Sequence, residues 1–381
     1  MKLRWFVGLL LPLLLLVGGC GAAADVSQAR AALARQGSGD IRIGVAWPFA
    51  KAGDLFLEGV ELAVEEINGA GGVLGRRLAV MAMDDEGSVT RGMEIAQSLA
   101  ENPEVVAVIG HRNSFISLPT AEIYEKAGLL MLTPGSTAPE LTQKGYRFVF
   151  RSIPSDDAIG RRLVHYAYRQ GHRRMVIYYV DDAYGRGLAN AIEDHATGAG
   201  IRIVDRISYY GDLNDLKYLH EKWRALGFDG IFVAETIPHG AELIAKMREV
   251  GIQEPVMAGN ALDSPALPEI AGEAAEGVVV GSVVNFQDER PIVQDFVRAF
   301  REKYGTFPNQ WAAQGYDAVR LLAAAMEKAG TAEPAAVAET LRGMKSWPGV
   351  AGFHTYDESG DVGGELVVLK TVRQGMFVEI E

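Results

Sequence analysis

The sequence predicts an α/β protein made of two doubly wound α/β lobes, joined by a multi-crossover hinge with a cleft between the lobes. The first observation is that residues 40–151 alternate short apolar runs with segments of helical period. The second is that residues 161–284 repeat this alternation over a similar length. The third is that residues 292–345 contain three helix-length segments with little strand between them, which is too little for a third domain.

The first half reads as strands and helices in strict alternation. The predicted strands are residues 40–46, 77–83, 105–109, 129–132 and 146–151, and the predicted helices are residues 55–68, 91–101 and 118–127. Asn68 and the glycines that follow it suit a helix stop and a turn. This order is typical of a parallel sheet with crossover helices.

The second half repeats the order, and three helices and a strand pair follow it. The predicted strands are residues 174–180, 201–207, 230–234, 256–259 and 277–284, and the predicted helices are residues 161–170, 184–197, 213–226 and 240–249. The late helices are residues 292–303, 310–328 and 333–345, and the closing strands are residues 365–372 and 374–380.

We expect the late helices to return and cover the first half. The chain then crosses between the lobes near Pro154, Asn285 and Tyr356. The predicted lobes are residues 40–154 plus 285–355, and residues 155–284 plus 356–381. Several crossings are typical of a hinge.

The chain begins with a predicted lipoprotein signal peptide, residues 1–19. Lys2 and Arg4 precede an apolar run that is too short for a comfortable membrane span. The stretch from Val17 to Cys20 resembles the bacterial lipobox, so Cys20 is the predicted lipidation site, and a buried free thiol is the alternative. Residues 20–39 are rich in Ala, Ser and Gly and read as a lipidated N-terminus and tether, partly helical. The protein is thus predicted to be exported and lipid-anchored in the periplasm or cell envelope.

Composition excludes several classes of function. The chain carries a formal net charge of −12 and shows no basic stripe, which argues against nucleic-acid binding. A single cysteine excludes intrachain disulfides and cysteine-based metal clusters. The histidines form no zinc-ligand spacing and no Gly-x-Ser-x-Gly motif occurs. We therefore predict no metal, no cofactor, no catalytic residues and no enzymatic activity.

Two adjacent predicted strands end in small polar residues. The candidate binding residues in these loops are Asn113, Ser114, Gly135, Ser136 and Thr137. Both loops fall at the carboxyl ends of parallel strands, where ligands bind in such sheets. They offer hydroxyl groups and accessible backbone but no nucleophile–base pair. Ordinary strand-to-helix loops with Ser114 and Thr137 as caps are the alternative, but two such neighbouring loops favour a binding site.

Two glycine-rich stretches do not indicate a nucleotide site. Residues 69–75 follow a helix and precede a strand, the reverse of the dinucleotide fingerprint. Residues 184–187 follow a strand and open a helix, but the last glycine of the fingerprint is absent. The pair Asp84 and Asp85 has no visible partner cluster and is expected to cap a loop.

A series of motifs resembles one known family. The stretches are EGVELAVEEINGAGGVLGRRL (58–78), VIGHRNSFISLPTAEIYEKAGLLMLTPGSTAPELTQKGY (108–146), RSIPSDD (151–157), DDAYGRGLA (181–189), IAGEAAEGVVV (270–280) and YDA (316–318). From residue 40 to about 365 the chain resembles the type I periplasmic solute-binding proteins of the leucine/isoleucine/valine-binding branch, which feed ABC transporters. The resemblance implies two α/β lobes, three crossovers and a cleft that closes on its ligand.

The resemblance also implies roles for individual residues. Ser114, Gly135 and Thr137 occupy positions that hold a ligand's α-carboxylate and α-amino group from the first lobe. Tyr184 stands where the family has an aromatic residue from the second lobe, and Trp311 where an aromatic lines the side-chain pocket.

The chain departs from the family where the ligand's ammonium group is bound. Asn260 stands where branched-chain binders have a glutamate. A second family tyrosine is Thr236 here, with Glu235 beside it. Either Glu235 or Asp263 is a candidate to replace the missing glutamate.

Two further departures concern the pocket wall. The loop after the first strand is short and brings Trp47 and Phe49 toward the cleft, although core packing is the alternative for Trp47 and Trp311. Arg112 replaces an apolar residue, as an added anchor for a polar ligand group or as a solvated loop cation.

These observations predict the substrate-binding lipoprotein of an ABC importer. It captures a small polar solute, an amino acid or related carboxylate, by closing the cleft, and its partner is an ABC permease in the inner membrane. The alternative is a regulatory or scaffold envelope lipoprotein of the same fold that binds a protein partner. The identity of the ligand, the membrane that holds the lipid and the oligomeric state stay open.

Overall fold

The computed structural model describes residues 18–364 and 366–380, and gives only the backbone for residues 18–24 and Ala52. Most of the predicted signal peptide, residues 1–17, lies outside the described residues, as does the side chain of Cys20. Within the described ranges, no helix combines the length and apolar character needed to cross a bilayer.

Helices and strands alternate through most of the described chain. The helices are α1 (Gly18–Gln36), α2 (Phe49–Ala52), α3 (Phe56–Gly69), α4 (Val89–Glu101), α5 (Ser114–Lys126), α6 (Glu140–Gln143), α7 (Asp156–Arg169), α8 (Ala183–Ala199), α9 (Leu213–Ala225), α10 (His239–Glu249), α11 (Ala266–Ala271), α12 (Pro291–Tyr304), α13 (Gln310–Ala329) and α14 (Pro334–Arg342). The strands are β1 (Ile41–Trp47), β2 (Leu78–Asp84), β3 (Val105–Gly110), β4 (Leu130–Thr133), β5 (Val149–Arg151), β6 (Arg174–Tyr179), β7 (Arg202–Ile207), β8 (Gly230–Ala234), β9 (Val256–Ala258), β10 (Val279–Ser282), β11 (Trp347–Gly349), β12 (Gly352–Tyr356), β13 (Val362–Gly363), β14 (Val368–Arg373) and β15 (Met376–Glu379).

The first lobe is built on a parallel sheet with the strand order β2-β1-β3-β4-β5. β3 is buried along its whole length because cores lie on both faces of the sheet. Ala107 and Ile109 pack into one core, and Val105 and Val108 pack into the other. The strand order reverses between β1 and β3, so the loops after these strands diverge and leave a crevice at the sheet edge.

The second lobe contains a sheet with the order β15-β14-β10-β9-β8-β6-β7. Strands β6 to β10 pair in parallel, whereas β14 pairs antiparallel with β10 and β15. Val176 and Val233 face one core, and Ile177 and Phe232 face the other. The predicted α/β fold with two parallel-sheet lobes is confirmed.

The late helices pack on the first lobe. α13 approaches α3 so closely that a side chain on Gly59 would place its Cβ 2.0 Å from the carbonyl oxygen of Ala312. Gly315 faces α3 in the same way, 2.5 Å from the carbonyl oxygen of Phe56. Only glycine permits such backbone contact.

The third chain crossing differs from the prediction near Tyr356. Tyr356 and Val362 are buried in the core of the first lobe. The Nε of Arg151, on β5, donates to Asp361 Oδ1 at 3.0 Å. Leu366 packs in the same core, so the chain leaves the first lobe after Leu366. The short strands β11 to β13, which hold this segment there, were not predicted because strands of two to five residues show no clear period.

The segment predicted as a partly helical tether forms helix α1, and its second half is attached to the first lobe. Arg30 is fully buried. Its guanidinium donates to the carbonyl oxygens of Val105 at 2.8 Å, Ala127 at 2.7 Å and Ala100 at 2.6 Å. These carbonyls lie 70 to 97 residues away in sequence, so no local pattern could reveal the contact.

Candidate ligand-binding cleft

The loop after β3 rests on a buried hydrogen-bonded network. His111 is fully buried, with Nδ1 2.7 Å from Asp85 Oδ2 and Nε2 3.2 Å from the hydroxyl of Tyr124. The carbonyl oxygen of His111 accepts from Thr133 Oγ1 at 2.8 Å. Because Thr133 begins the next polar loop, this bond ties the two loops together.

The hydroxyl of Ser114 joins the same two loops. Ser114 is the first residue of α5, and its Oγ accepts from Ser136 Oγ at 3.2 Å and from the backbone N–H of Ala138 at 3.3 Å. A serine hydroxyl has two acceptor positions and one proton. Ser114 lines the cavity described below, where its hydroxyl can donate to an acceptor such as a carboxylate.

A cavity lies between the two lobes at these loops. Seven of the ten predicted binding residues line it: Asn113, Ser114, Gly135, Thr137, Tyr184, Asn260 and Trp311. Four further residues line it that were not among those ten: Arg112, Asp182, Thr236 and Ala261.

Gly135 is required where it stands. A Cβ at this position would lie 2.8 Å from the Cα of Arg112 and 2.8 Å from the indole ring of Trp47. These atoms cannot move aside without shifting the loop. The glycine therefore allows the two loops to touch and leaves backbone groups facing the cavity.

Three predicted binding residues do not line the cavity. Trp47 is fully buried beneath the loops, where its ring stacks on Phe56 with centroids 3.6 Å apart. Ser136 is also fully buried and is bonded to Ser114. Glu235 is 7% exposed and its Oε1 accepts from the backbone N–H of Thr236, so it lies behind that residue.

Arg112 lines the cavity, but its positive charge is already paired with Asp54. Its guanidinium stacks over Trp311, 4.7 Å from the ring centroid, and its Nε lies 3.2 Å from Asp54 Oδ2. Burial lowers the pKa of Arg112 and raises the pKa of Asp54, although each charge partly offsets this for the other. The pair supports the aromatic wall and is neutral as a unit.

Asp182 is the carboxylate that the second lobe presents to the cavity. It caps the N-terminus of α8, and its Oδ1 accepts from the backbone N–H of Gly185 at 2.9 Å. Burial raises its pKa above the ordinary value. The sequence pattern around Tyr184 contained this residue, but an aspartate before a helix reads first as a cap.

Neither Glu235 nor Asp263 replaces the missing glutamate in the cavity. Asp263 Oδ2 is occupied by Lys370 Nζ at 3.0 Å and by the hydroxyl of Ser282. The backbone around it contacts the other lobe, because Gln310 Nε2 donates to the carbonyl oxygens of Asn260 at 2.7 Å and Asp263 at 2.8 Å. Gln310 belongs to α13 and so joins the first lobe to the second.

A buried carboxyl group lies behind the cavity. Asp156 is fully buried, and its backbone N–H donates to the carbonyl oxygen of Thr137 at 2.8 Å. Burial raises the pKa of Asp156 to about 8, and it outweighs the opposing effects of the Thr137 hydroxyl and of Arg151. Among the described residues, no hydrogen bond of good geometry reaches its carboxyl oxygens. The group is therefore largely protonated at neutral pH.

In the described part of the chain, no three His, Cys, Asp or Glu side chains lie together as a possible ion site. The cavity offers hydroxyl and backbone donors on one lobe and one carboxylate on the other. This distribution suits a ligand with opposite charges at two ends.

Comparisons with known proteins agree with this geometry. A profile of the family described as periplasmic binding protein matches residues 40–374. The Leu-, Ile-, Val-, Thr- and Ala-binding protein of Pseudomonas aeruginosa is 30% identical over 319 residues, covering 84% of this chain and 85% of that protein.

Solved structures show the same arrangement. An ABC transporter substrate-binding protein from Desulfitobacterium hafniense, in complex with Leu, is 53% identical and superposes with a TM-score of 0.83. The match covers 90% of this chain and all of that one. A leucine-binding protein from Thermotoga maritima is 29% identical with a TM-score of 0.82, over 90% of this chain and 98% of that one.

Proposed function

Because the chain belongs to the type I periplasmic binding protein family of branched-chain amino acid receptors, we propose that it binds a small aliphatic α-amino acid of the leucine type for an ABC importer. The observation that carries the proposal is the polarity of the cleft. Ser114 supplies a hydroxyl donor on the first lobe, and Asp182 supplies a carboxylate on the second. The 53% identical structure in complex with Leu supports the choice of ligand.

Each end of the amino acid has a partner in this arrangement. The ligand's carboxylate accepts from the Ser114 hydroxyl and from donors of the loop containing Gly135 and Thr137. Its ammonium group donates to Asp182. Asp182 thereby replaces the glutamate that branched-chain binders have at the position of Asn260. Its aliphatic side chain packs against Trp311.

Binding then shifts the arrangement of the lobes. A ligand that contacts both lobes stabilises the closed form by the difference between its affinities for the closed and open forms. An ABC permease that recognises the closed form receives the solute from it. We place the protein in the periplasm, with Cys20 as the lipid attachment site. Cys20→Ser should abolish the acyl mass that mass spectrometry detects on the mature N-terminal peptide.

The test is titration calorimetry on protein that begins after Cys20. Leucine is compared with 4-methylpentanoate, which lacks the ammonium group, and with isoamylamine, which lacks the carboxylate. Each analogue should bind at least about tenfold more weakly, since each loses a charge-assisted hydrogen bond. Equal affinity for leucine and either analogue would show that the cleft does not read both charges.

A further inference from the structure

A second cavity of about 270 Å³, which we term the hinge cavity, lies apart from the ligand cleft. Its walls include Phe286, Phe307, Gln310, Lys370, Phe377 and Glu379. Phe286 packs against the core of the first lobe, and Phe377 packs against a core of the second. The hinge cavity is therefore a gap between the lobes, beside the crossing that leads into α12.

The charged side chains that line the hinge cavity carry a net negative charge. Lys370 Nζ is paired with Asp263 Oδ2 at 3.0 Å, so its charge is already compensated. Glu379 lies opposite Lys370 in the β14–β15 pair and makes no side-chain ion pair with any described residue. One uncompensated carboxylate remains, which disfavours anions and favours a cation.

Two more features point to the same kind of occupant. Gln310 is 2% exposed, its Nε2 is engaged by two carbonyls, and its Oε1 has no hydrogen-bond partner in the described part of the chain. A buried acceptor without a partner is costly, and an ammonium group would satisfy it. The ring of Phe286 already holds a cation, since Lys370 Nζ lies 5.8 Å from its centroid.

We propose that the hinge cavity is a second binding site, for a small organic ammonium ion with an apolar or aromatic body. The ammonium group pairs with Glu379 and donates to Gln310 Oε1, while the apolar body packs among Phe286, Phe307 and Phe377. Since Gln310 also bonds to Asn260, which lines the ligand cleft, the occupant lies one residue away from the cleft wall. The site does not depend on the identity of the cleft's own ligand.

The test uses 2-phenylethylamine as the probe, titrated by calorimetry with and without excess leucine. The amine should bind with a dissociation constant below about 1 mM, and phenylacetate, of similar shape but opposite charge, should not bind. Glu379→Gln should weaken the amine at least about tenfold. Glu269→Gln, on an exposed position of the same lobe, should leave its affinity unchanged.

A second pair of variants tests the aromatic wall without disturbing a core. Phe307 is 55% exposed and Phe353, on β12, is 50% exposed, so both tolerate replacement by serine. Phe307→Ser should weaken the amine several-fold and Phe353→Ser should not. The proposal is wrong if the amine does not bind, if leucine displaces it, if phenylacetate binds as well, or if Glu379→Gln and Phe307→Ser both leave its affinity unchanged.

Discussion

Replacing Asp182 by asparagine removes one charge from the cleft and little else. Asparagine caps helices as well as aspartate does, so the bond from the backbone N–H of Gly185 is retained. What is lost is a carboxylate facing the ligand's ammonium group. Hydrogen bonds to charged groups contribute about 1.5–3 kcal/mol, so the dissociation constant for leucine should rise about 10- to 150-fold.

The chain provides a matched control for this substitution. Asp212 caps α9 on the same lobe, and its Oδ1 accepts from the backbone N–H groups of Asn214 and Asp215. Asp212→Asn repeats the chemical change away from the cleft and should leave leucine affinity unaltered. The affinity for 4-methylpentanoate, which has no ammonium group, should not weaken in Asp182→Asn.

The pH dependence of leucine affinity provides a second test of the contact between Asp182 and the ligand's ammonium group. Burial raises the pKa of Asp182 above its ordinary value, so the free protein begins to protonate it at a higher pH than an exposed aspartate. Leucine binds the charged form, and its affinity for the wild type should fall as pH falls through that pKa. Asp182→Asn should flatten this fall. If calorimetry gives the variant the wild-type leucine affinity at neutral pH, Asp182 does not hold the ammonium group.

Three other substitutions test the loop contact at the cleft, the buried carboxyl group behind it and the attachment of α1. Gly135→Ala forces a Cβ to within 2.8 Å of a backbone atom and of an indole ring, and should lower the free energy of unfolding in urea by about 1–3 kcal/mol. Gly69→Ala places its Cβ in open space and should not lower it. Equal losses in the two variants would refute the loop contact. The pKa of Asp156 is raised to about 8 from 3.8, so the folded protein keeps a proton that the unfolded chain releases between about pH 4 and pH 8. The stability of the wild type should therefore fall over that range. Asp156→Asn should lose this pH-dependent part of the stability, so that its melting temperature relative to wild type rises with pH. Arg30→Ala should lower stability by about 2 kcal/mol or more and expose α1 to protease, while Arg35→Ala, at an exposed ion pair, should do neither.

Much of the fold was predictable because period and length are local properties. β3 is a continuous apolar run bounded by polar residues, and α13 carries a helical period over 20 residues. The two loops of the cleft were predictable for a related reason. Parallel strands place the loops that follow them at one edge of the sheet, whatever the details of packing.

The direction of individual side chains was not predictable in this way. Trp47 ends β1 at the correct edge, but its ring turns under the loop to stack on Phe56 rather than into the cleft. Glu235 follows β8, yet the backbone of Thr236 engages it and Thr236 faces the cavity instead. Successive side chains of an extended chain point to opposite faces, so a shift of one residue decides which side chain faces the cavity. Sequence position alone does not determine that shift.

The attachment of α1 has a consequence for transport. A helix rises 1.5 Å per residue, so the ten residues from Cys20 to Arg30 span about 15 Å. If Cys20 carries the lipid, the first lobe is held about that far from the bilayer surface, in a limited range of orientations. If the anchor lies in the membrane that holds the permease, it confines both proteins to one surface, so the receptor meets the permease at a raised local concentration without any increase in affinity. Weak docking would then suffice for delivery, and the receptor could release the permease quickly after each cycle.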